Sequence, residues 1–162
     1  MKIRNKFSFG NTSQQRRKGV SRYLILASDR ALMCSPVDFG VPMDGGVREA
    51  SRQNWIFKQK WSKCDGYIKK SFHQKKDENG EGQALDLVPY IVGEGLCYDA
   101  LGRFGVIGML MLEAWQELQE EGKVPKHLYL HWGGLWKKKK NKSLGWDLAH
   151  FEIREYEQTE QV

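Results

Sequence analysis

Three segments of the sequence carry side chains that could bind a metal ion or move a proton. They are Ser71-Phe72-His73, an apolar run around Asp86, and Asp147-Leu148-Ala149-His150. An acidic side chain inside an apolar strand is costly unless it is paired with a cation or bound to a metal. Asp86 lies between Leu85 and Leu87. This position therefore predicts either a buried salt bridge or a metal ligand.

The histidines decide how a metal could be held. A catalytic zinc site uses about three His or carboxylate ligands and leaves one position open for water. His73, Asp86 and His150 supply that number, and Ser71 would share a face with His73 if their segment is extended. Asp147 would then lie beside the site without being a ligand, where a general base belongs. Taken alone, Asp147 and His150 also fit a capping or surface hydrogen-bonded pair.

A second pair of histidines has the spacing of a zinc-binding helix. His127 and His131 are four residues apart, but the residues between them are typical of a strand. No Glu follows His127, so the H-E-x-x-H signature is absent. Both histidines are left out of the predicted metal site.

Hydrophobic spacing predicts the elements that must position these side chains. The expected helices are 13–34, 48–61 and 101–121, and the expected strands are 37–41, 84–92, 128–132 and 150–154. Residues 66–73 are expected to be extended and 75–82 to form a charged loop. This mixture lacks a regular βαβ alternation, so it predicts an α+β fold with helices packed on a small antiparallel sheet.

Apolar residues on the helices predict which faces point inward. The last helix should bury a stripe that contains Leu101, Phe104, Met111, Ala114 and Leu118, with Met109 also in the core. On the middle helix, we expect Ala50, Trp55, Phe57 and Trp61 to face partly inward.

Length and composition exclude several classes of protein. The chain has 162 residues, of which 40% are hydrophobic and 12% aromatic, so it is not wholly disordered. No apolar run approaches the roughly 20 residues that span a bilayer, and the first residues do not resemble a secretory signal. We expect a single domain over 1–162 with its core at about 19–154, between a basic amino-terminal segment and an acidic tail. Cys34, Cys64 and Cys97 are widely spaced, which predicts buried free thiols.

The net charge of +6 draws the protein toward anionic polymers. Five lysines lie within 137–142, which form either a solvated loop or an attractive patch. Nucleic acid is not favoured, because no binding motif is present. The loop at 75–82 could hold a second cation through Asp77, Glu78, Asn79 and Glu81. A solvated loop is the favoured interpretation, because the twelve-residue calcium pattern is absent.

Four motifs occur in a fixed order. They are Ser71-x-His73, Gly82-x-Ala84-x-Asp86-Leu87-Val88-Pro89-Tyr90, Trp132-Gly133-Gly134-x-Trp136 and Asp147-x-x-His150-Phe151-Glu152. Together they resemble the zinc-dependent D-alanyl-D-alanine carboxypeptidase family, and within it the bacteriophage endolysins that act as L-alanyl-D-glutamate endopeptidases. The resemblance runs from about residue 19 to 153. Twelve residues separate His73 from Asp86, where the family usually has six.

The resemblance implies an α+β hydrolase with one catalytic Zn²⁺. Its ligands would be His73, Asp86 and His150, and Asp147 would be the catalytic base. Arg48 would contact the substrate or transition state, and Ser71 would bind substrate. Trp132 and Glu152 would support the ligands from behind.

The resemblance also implies a biological setting. The substrate would be the peptidoglycan stem peptide, cut between L-alanine and D-glutamate for lysis of the host cell. D-alanyl-D-alanine carboxypeptidase activity is the alternative within the family. From a different class, the alternative is a noncatalytic basic domain that binds the cell wall or nucleic acid. As an endolysin, the protein would wait in the host cytoplasm as a monomer, without membrane insertion. It would reach the wall in the periplasm after a holin-type pore permeabilises the membrane.

Overall fold

The computed structural model describes residues 7–136 and 145–156. The helices are α1 (Asn11–Arg16), α2 (Arg22–Cys34), α3 (Ala50–Lys58) and α4 (Leu101–Glu120). The strands are β1 (Phe39–Gly40), β2 (Ala84–Asp86), β3 (Val88–Ile91), β4 (Gly95–Leu96), β5 (Leu128–Trp132) and β6 (His150–Glu155). The predicted α+β class is confirmed. The lysine-rich segment 137–142, the first six residues and the tail beyond residue 156 lie outside the described residues.

The strands form two antiparallel sheets, where the sequence predicts one. Their orders are β1-β3-β4 and β2-β6-β5. The single strand expected at 84–92 is divided at Leu87, which is buried and donates its N–H to the carbonyl of Ala149 at 2.9 Å. Because the chain changes sheets at Leu87, Asp86 is the last residue of β2. It pairs there with His150, the first residue of β6.

The predicted strand at 128–132 is confirmed, and the strand expected at 150–154 extends by one residue. β6 lies between β2 and β5. Its register places Phe151 opposite both Leu85 and Trp132. All three side chains are buried, so this face of the sheet belongs to the core.

Helices α2 and α4 pack against each other, and α4 also contacts β3 and β5. Met111 and the other inward residues of α4 are buried, as predicted. Leu101 and Met109 are instead 60% and 62% exposed, so their assignment to the core is wrong. Leu101 begins the helix, and Met109 lies two residues from Met111, which places the two methionines on opposite faces.

The long helix expected at 13–34 is two helices separated by a turn. Gly19 has φ of +75°, a conformation that is strained for other residues. The hydroxyl of Ser21 caps α2 by accepting the N–H of Tyr23. Gly82 lies against the turn between α1 and α2. Its N–H donates to the Gly19 carbonyl at 2.7 Å, and its carbonyl accepts the Ser21 N–H at 2.8 Å. The break therefore anchors the end of the charged loop 75–82.

The helix predicted at 48–61 covers only α3, and its inward face is different. Gln53 and Ile56 are buried, whereas Trp55, Phe57 and Trp61 are 41%, 41% and 69% exposed. Trp55 and Phe57 are therefore partly inward, as predicted, whereas Trp61 lies beyond the end of α3 and is mostly exposed, so its inward position is wrong.

The expected extended segment 66–73 consists of turns. The Asp65 carboxylate accepts the N–H groups of Tyr67, Ile68 and Lys69, which folds the chain back on itself. Ser71 and His73 therefore do not share the face of a strand.

A pair of glycines on α4 tests the packing between this helix and β5. A Cβ on Gly108 would overlap the indole of Trp132, whereas a Cβ on Gly105 meets nothing within 4 Å. We expect Gly108→Ala to lower the free energy of unfolding by about 1–3 kcal/mol through overpacking. Gly105→Ala should raise it by about 0.5–1 kcal/mol. Urea unfolding of both variants measures the difference, and equal effects would contradict the packing.

Candidate metal centre

Three donor atoms from distant parts of the chain meet at one point. The distance from His73 Nε2 to Asp86 Oδ1 is 3.2 Å, and that from His73 Nε2 to His150 Nδ1 is 3.1 Å. The third edge, from His150 Nδ1 to Asp86 Oδ1, is 3.0 Å. Both histidines are buried, at 2% and 6% exposure. We call this arrangement the donor triangle.

The donor triangle matches the geometry of a small divalent ion. In a tetrahedral zinc site with ligands at about 2.0–2.1 Å, neighbouring ligand atoms lie about 3.3 Å apart. The three edges lie within a few tenths of an ångström of that value. Within the described residues, this is the one group of three His, Cys, Asp or Glu side chains that could hold a metal ion. The donor set of two imidazoles and one carboxylate suits Zn²⁺.

His73 reaches the triangle from a turn, and its ring is fixed from behind. Its Nδ1 lies 2.7 Å from the carbonyl oxygen of Gly46, which can only accept a hydrogen bond. The Nδ1 atom therefore carries the proton and donates it, which leaves the Nε2 lone pair for a metal. A Cβ on Gly46 would overlap the carbonyl of Arg16, so the close approach of the Gly46 backbone to Arg16 requires glycine. The N–H of Arg48 donates to the His73 carbonyl at 3.0 Å.

His150 is held in the same way by a carboxylate. His150 and Glu152 alternate on β6 and so point to the same side of the strand. His150 Nε2 lies 2.9 Å from Oε2 of Glu152, which is only 3% exposed. Arg154 in turn donates from Nε to Glu152 Oε1 at 2.6 Å. This chain of contacts fixes the ring so that Nδ1 faces the triangle.

Asp86 forms the salt bridge that its sequence position predicts, and it also presents an oxygen atom to the donor triangle. Its Oδ1 belongs to the donor triangle, and its Oδ2 accepts a hydrogen bond from Arg48 Nη2 at 2.6 Å. Arg48 also donates from Nε to the carbonyl of Asp44 and from Nη1 to the side chain of Gln53. Arg48 therefore contacts a candidate ligand, Asp86, and its guanidinium is held by hydrogen bonds with Asp44 and Gln53 as well.

The remaining predicted residues lie around this centre. Ser71 lines the cavity in front of the donor triangle, and its hydroxyl donates to Gln53 Oε1 at 3.0 Å. Trp132 is buried, and its Nε1 donates to the Leu148 carbonyl at 2.8 Å. That bond fixes the backbone between Asp147 and His150.

Asp147 differs from the other acidic groups of this site. It lines the cavity beside His150, and among the described residues no side chain or backbone group donates a hydrogen bond to its carboxylate. Burial, and then the negative charge of Asp86, raise the pKa of Asp147 to about 6. A carboxylate with this pKa, beside three converging donors, has the properties that a general base needs.

Charge distributes unevenly over the donor triangle. Burial lowers the pKa of His73, so this ring is neutral near pH 7. Burial also disfavours the charged form of His150, but hydrogen bonds with Asp86 and Glu152 outweigh it and raise the pKa of His150 to about 10. Burial opposes ionisation of Asp86 as well. Nevertheless, the neighbouring imidazoles and Arg48 hold the pKa of Asp86 well below its usual range.

The cavity in front of the donors has a volume of about 620 Å³. Sequence reasoning missed several of the residues that shape it. Gln53, which links Arg48 to Ser71, carries no recognisable motif, and neither does the Gly46 carbonyl. Trp136 packs with its ring 5.4 Å from that of His150. Cys64 also lines the cavity, so the expectation that all three thiols are buried is wrong and holds for Cys34 only.

The charged loop at 75–82 does not support the second cation. Asp77 Oδ1 accepts the N–H groups of Asn79 and Glu81 at 2.9 and 2.8 Å. The Glu81 carboxylate pairs with Arg22 at 2.9 Å. These carboxylates therefore stabilise the loop and fasten it to α2.

Comparisons with known proteins indicate the family and the fold of the chain. The model of the family described as phage L-alanyl-D-glutamate peptidase matches residues 5–153. Among solved structures, the L-Ala D-Glu endopeptidase ChiX of Serratia marcescens is similar, with a TM-score of 0.62 and 22% sequence identity. The alignment covers 92% of each chain, and at this identity the likeness is one of fold. The search of curated proteins finds no match.

Metal binding should release one proton. A metal at the donor triangle must displace the Nδ1 proton of His150, whereas His73 is already neutral and Asp86 already ionised. Between pH 7 and 9 we therefore expect the zinc affinity of the metal-free protein to rise about tenfold per pH unit. Calorimetry in buffers of different ionisation enthalpy counts the protons. A count of zero or two would contradict this charge assignment.

Glu152 should tune the metal through His150. We expect Glu152→Gln to weaken zinc binding by about 10–100-fold, because the amide is a poorer acceptor for the imidazole N–H. Glu155→Gln, at the exposed end of the same strand, is the matched control and should bind zinc normally. Competition with a chelator measures both affinities. If Glu152→Gln also binds zinc normally, Glu152 serves only to pair with Arg154.

Proposed function

The chain belongs to the phage L-alanyl-D-glutamate peptidase family, and we propose that its donor triangle holds the single Zn²⁺ with which it works. The protein is a peptidoglycan peptidase that hydrolyses the bond between L-alanine and D-glutamate in the stem peptide. One observation carries the zinc proposal. His73, Asp86 and His150 present three donor atoms 3.0–3.2 Å apart, and oxygen atoms fix both imidazoles from behind.

The chemistry divides between the metal and the protein. Zinc in such a site acts as a Lewis acid toward the peptide carbonyl and makes water a stronger acid. Asp147 accepts the proton from the attacking water and returns it to the departing amine of D-glutamate. In the metal-free protein its pKa is about 6, so it is ionised at neutral pH, and the positive charge of a bound ion would favour the ionised form further.

Arg48 and Ser71 act around that reaction. Arg48 holds Asp86 in its ionised form, and its positive charge lines the cavity where the carbonyl oxygen becomes negative. Ser71 presents its oxygen to the same cavity and orients the substrate backbone. Trp132 fixes the backbone beside Asp147, and Glu152 fixes His150.

The rim of the cavity suits an acidic peptide. In the stem peptide, D-glutamate is linked through its side chain, so its α-carboxylate is free. Cationic side chains line the cavity, among them Lys69, Lys70, Lys75 and Arg154. We assign them to the carboxylates that follow the scissile bond. Family membership favours the L-alanyl-D-glutamate bond over the terminal D-alanyl-D-alanine bond, and a peptidase over a noncatalytic domain.

The protein acts on the cell wall. Within the described residues, no helix is long and apolar enough to cross a membrane. We propose that the protein gathers in the host cytoplasm and that a holin-type pore admits it to the wall.

The role of Asp147 can be separated from metal binding. We expect Asp147→Asn to keep its zinc and to lose about 10²–10⁴-fold in kcat, the usual contribution of a general base. Elemental analysis and digestion of purified sacculi measure the two properties. Full activity in the variant would exclude Asp147 as the base.

Product analysis distinguishes the two bonds. Mass spectrometry should find L-alanine retained on the glycan and a new amino terminus on D-glutamate. Release of free D-alanine alone would instead establish the carboxypeptidase activity.

A further inference from the structure

A row of aromatic side chains leads away from the donor triangle along the cavity. Trp136 packs with its ring 5.4 Å from that of His150, and Trp146 lies 5.0 Å from Trp136. Lys63 Nζ lies 5.0 Å above the Trp146 ring. Trp61, two residues before Lys63, lines the same cavity. We call Trp61, Lys63 and Trp146 the indole wall.

The two tryptophans of the indole wall are exposed rather than packed in the core. Trp61 is 69% exposed and Trp146 is 54% exposed. Large exposed apolar surface beside a cavity marks a binding site more often than a defect in packing. Trp61 is also held in place, because it packs edge-on against Trp55 at 5.6 Å, and Arg52 lies 4.1 Å from the Trp55 ring. Trp61 is therefore held in place by Trp55, and Trp146 is held by Trp136.

The substrate of the proposed function needs such a surface. In peptidoglycan, the L-alanine of the stem peptide is joined to the lactyl group of N-acetylmuramic acid. One residue thus separates the scissile bond from the sugar, a span of about 3.5 Å per extended residue. The glycan must then lie against the cavity wall whenever the bond reaches the donor triangle. A pyranose ring has an apolar C–H face that packs on indole, and its hydroxyl and acetyl oxygens accept hydrogen bonds from ammonium groups.

We propose that the indole wall is a glycan subsite, where Trp61 and Trp146 stack on sugar rings and Lys63 donates to their oxygens. The enzyme then prefers stem peptides that are still attached to the glycan strand over free peptides. This inference rests on the proposed function for its substrate. The wall is continuous with the cavity that contains Asp147 and His150, which favours a part of the substrate over a separate protein partner.

The ratio of two rates tests the subsite. One substrate is a disaccharide with the stem peptide attached, and the other is the same peptide with an acetylated amino terminus and no sugar. We expect the zinc-loaded enzyme to show at least about tenfold higher kcat/KM for the first substrate, as two aromatic contacts would give. Trp61→Ala and Trp146→Ala should each lower this ratio by about five- to tenfold. A ratio near one in the unmodified enzyme, or an unchanged ratio in both variants, would overturn the proposal.

A matched control separates the wall from general damage. Tyr67 is 60% exposed on a nearby turn and does not line the cavity, so Tyr67→Ala should leave the ratio unchanged. A fold defect in a tryptophan variant would lower both rates together and leave the ratio at its original value, which counts against the proposal. Trp61→Phe should restore part of the ratio, because a smaller ring still stacks.

Binding of sugar without peptide distinguishes this inference from the proposed function. Titration with the free disaccharide of N-acetylglucosamine and N-acetylmuramic acid should quench tryptophan fluorescence, and Trp146→Ala should weaken that binding. If neither peptide is cut but the disaccharide binds, the peptidase proposal fails and the glycan subsite stands. If the peptides are cut but no disaccharide binds and no ratio is seen, the subsite alone fails.

Discussion

The register of β2 against β6 is the constraint on which the candidate site depends. Asp86 pairs with His150, and Leu85 pairs with Phe151. Because side chains alternate along a strand, a slip of one residue would turn Asp86 into the core and Leu85 toward the donors. Burial of Leu85 and Phe151 therefore fixes the register, and the same register brings a carboxylate and an imidazole within 3.0 Å. The apolar core and the metal donors are specified together by one pairing.

The charges around this pairing favour a cation. Asp86, Asp147 and Glu152 bring three carboxylates to one cavity, and Arg48 and Arg154 form ion pairs with two of them. In the metal-free protein, the proton on His150 supplies further positive charge between Asp86 and Glu152. A divalent ion at the donor triangle would replace that proton and bring an additional positive charge close to Asp147. The His150 proton, or a divalent ion in its place, therefore completes the neutralisation of these acids.

Much of the site could be predicted from the sequence, but less of its surroundings. The ligand types and their order identify His73, Asp86 and His150, since buried acids and histidines need specific partners. The Gly46 carbonyl behind His73 could not be predicted, because every residue type carries a backbone carbonyl. The turn that carries His73 was missed because Asp65 folds its segment through local hydrogen bonds. Trp61 is predicted to face partly inward because periodicity alone does not distinguish a buried indole from one exposed beside a cavity.

The proposed base, Asp147, differs from the other acids of the site in its hydrogen bonding. The other acids of the site have partners, and Glu152 has both His150 and Arg154 within 3 Å. Within the described residues, Asp147 keeps its carboxylate oxygens free, although burial raises its pKa to about 6. A hydrogen-bond donor in the cavity would stabilise the ionised form, but it would also lower the basicity on which proton transfer depends. The lack of a hydrogen-bond donor to Asp147 among the described residues therefore supports the proposal that it is the base beside the metal donors.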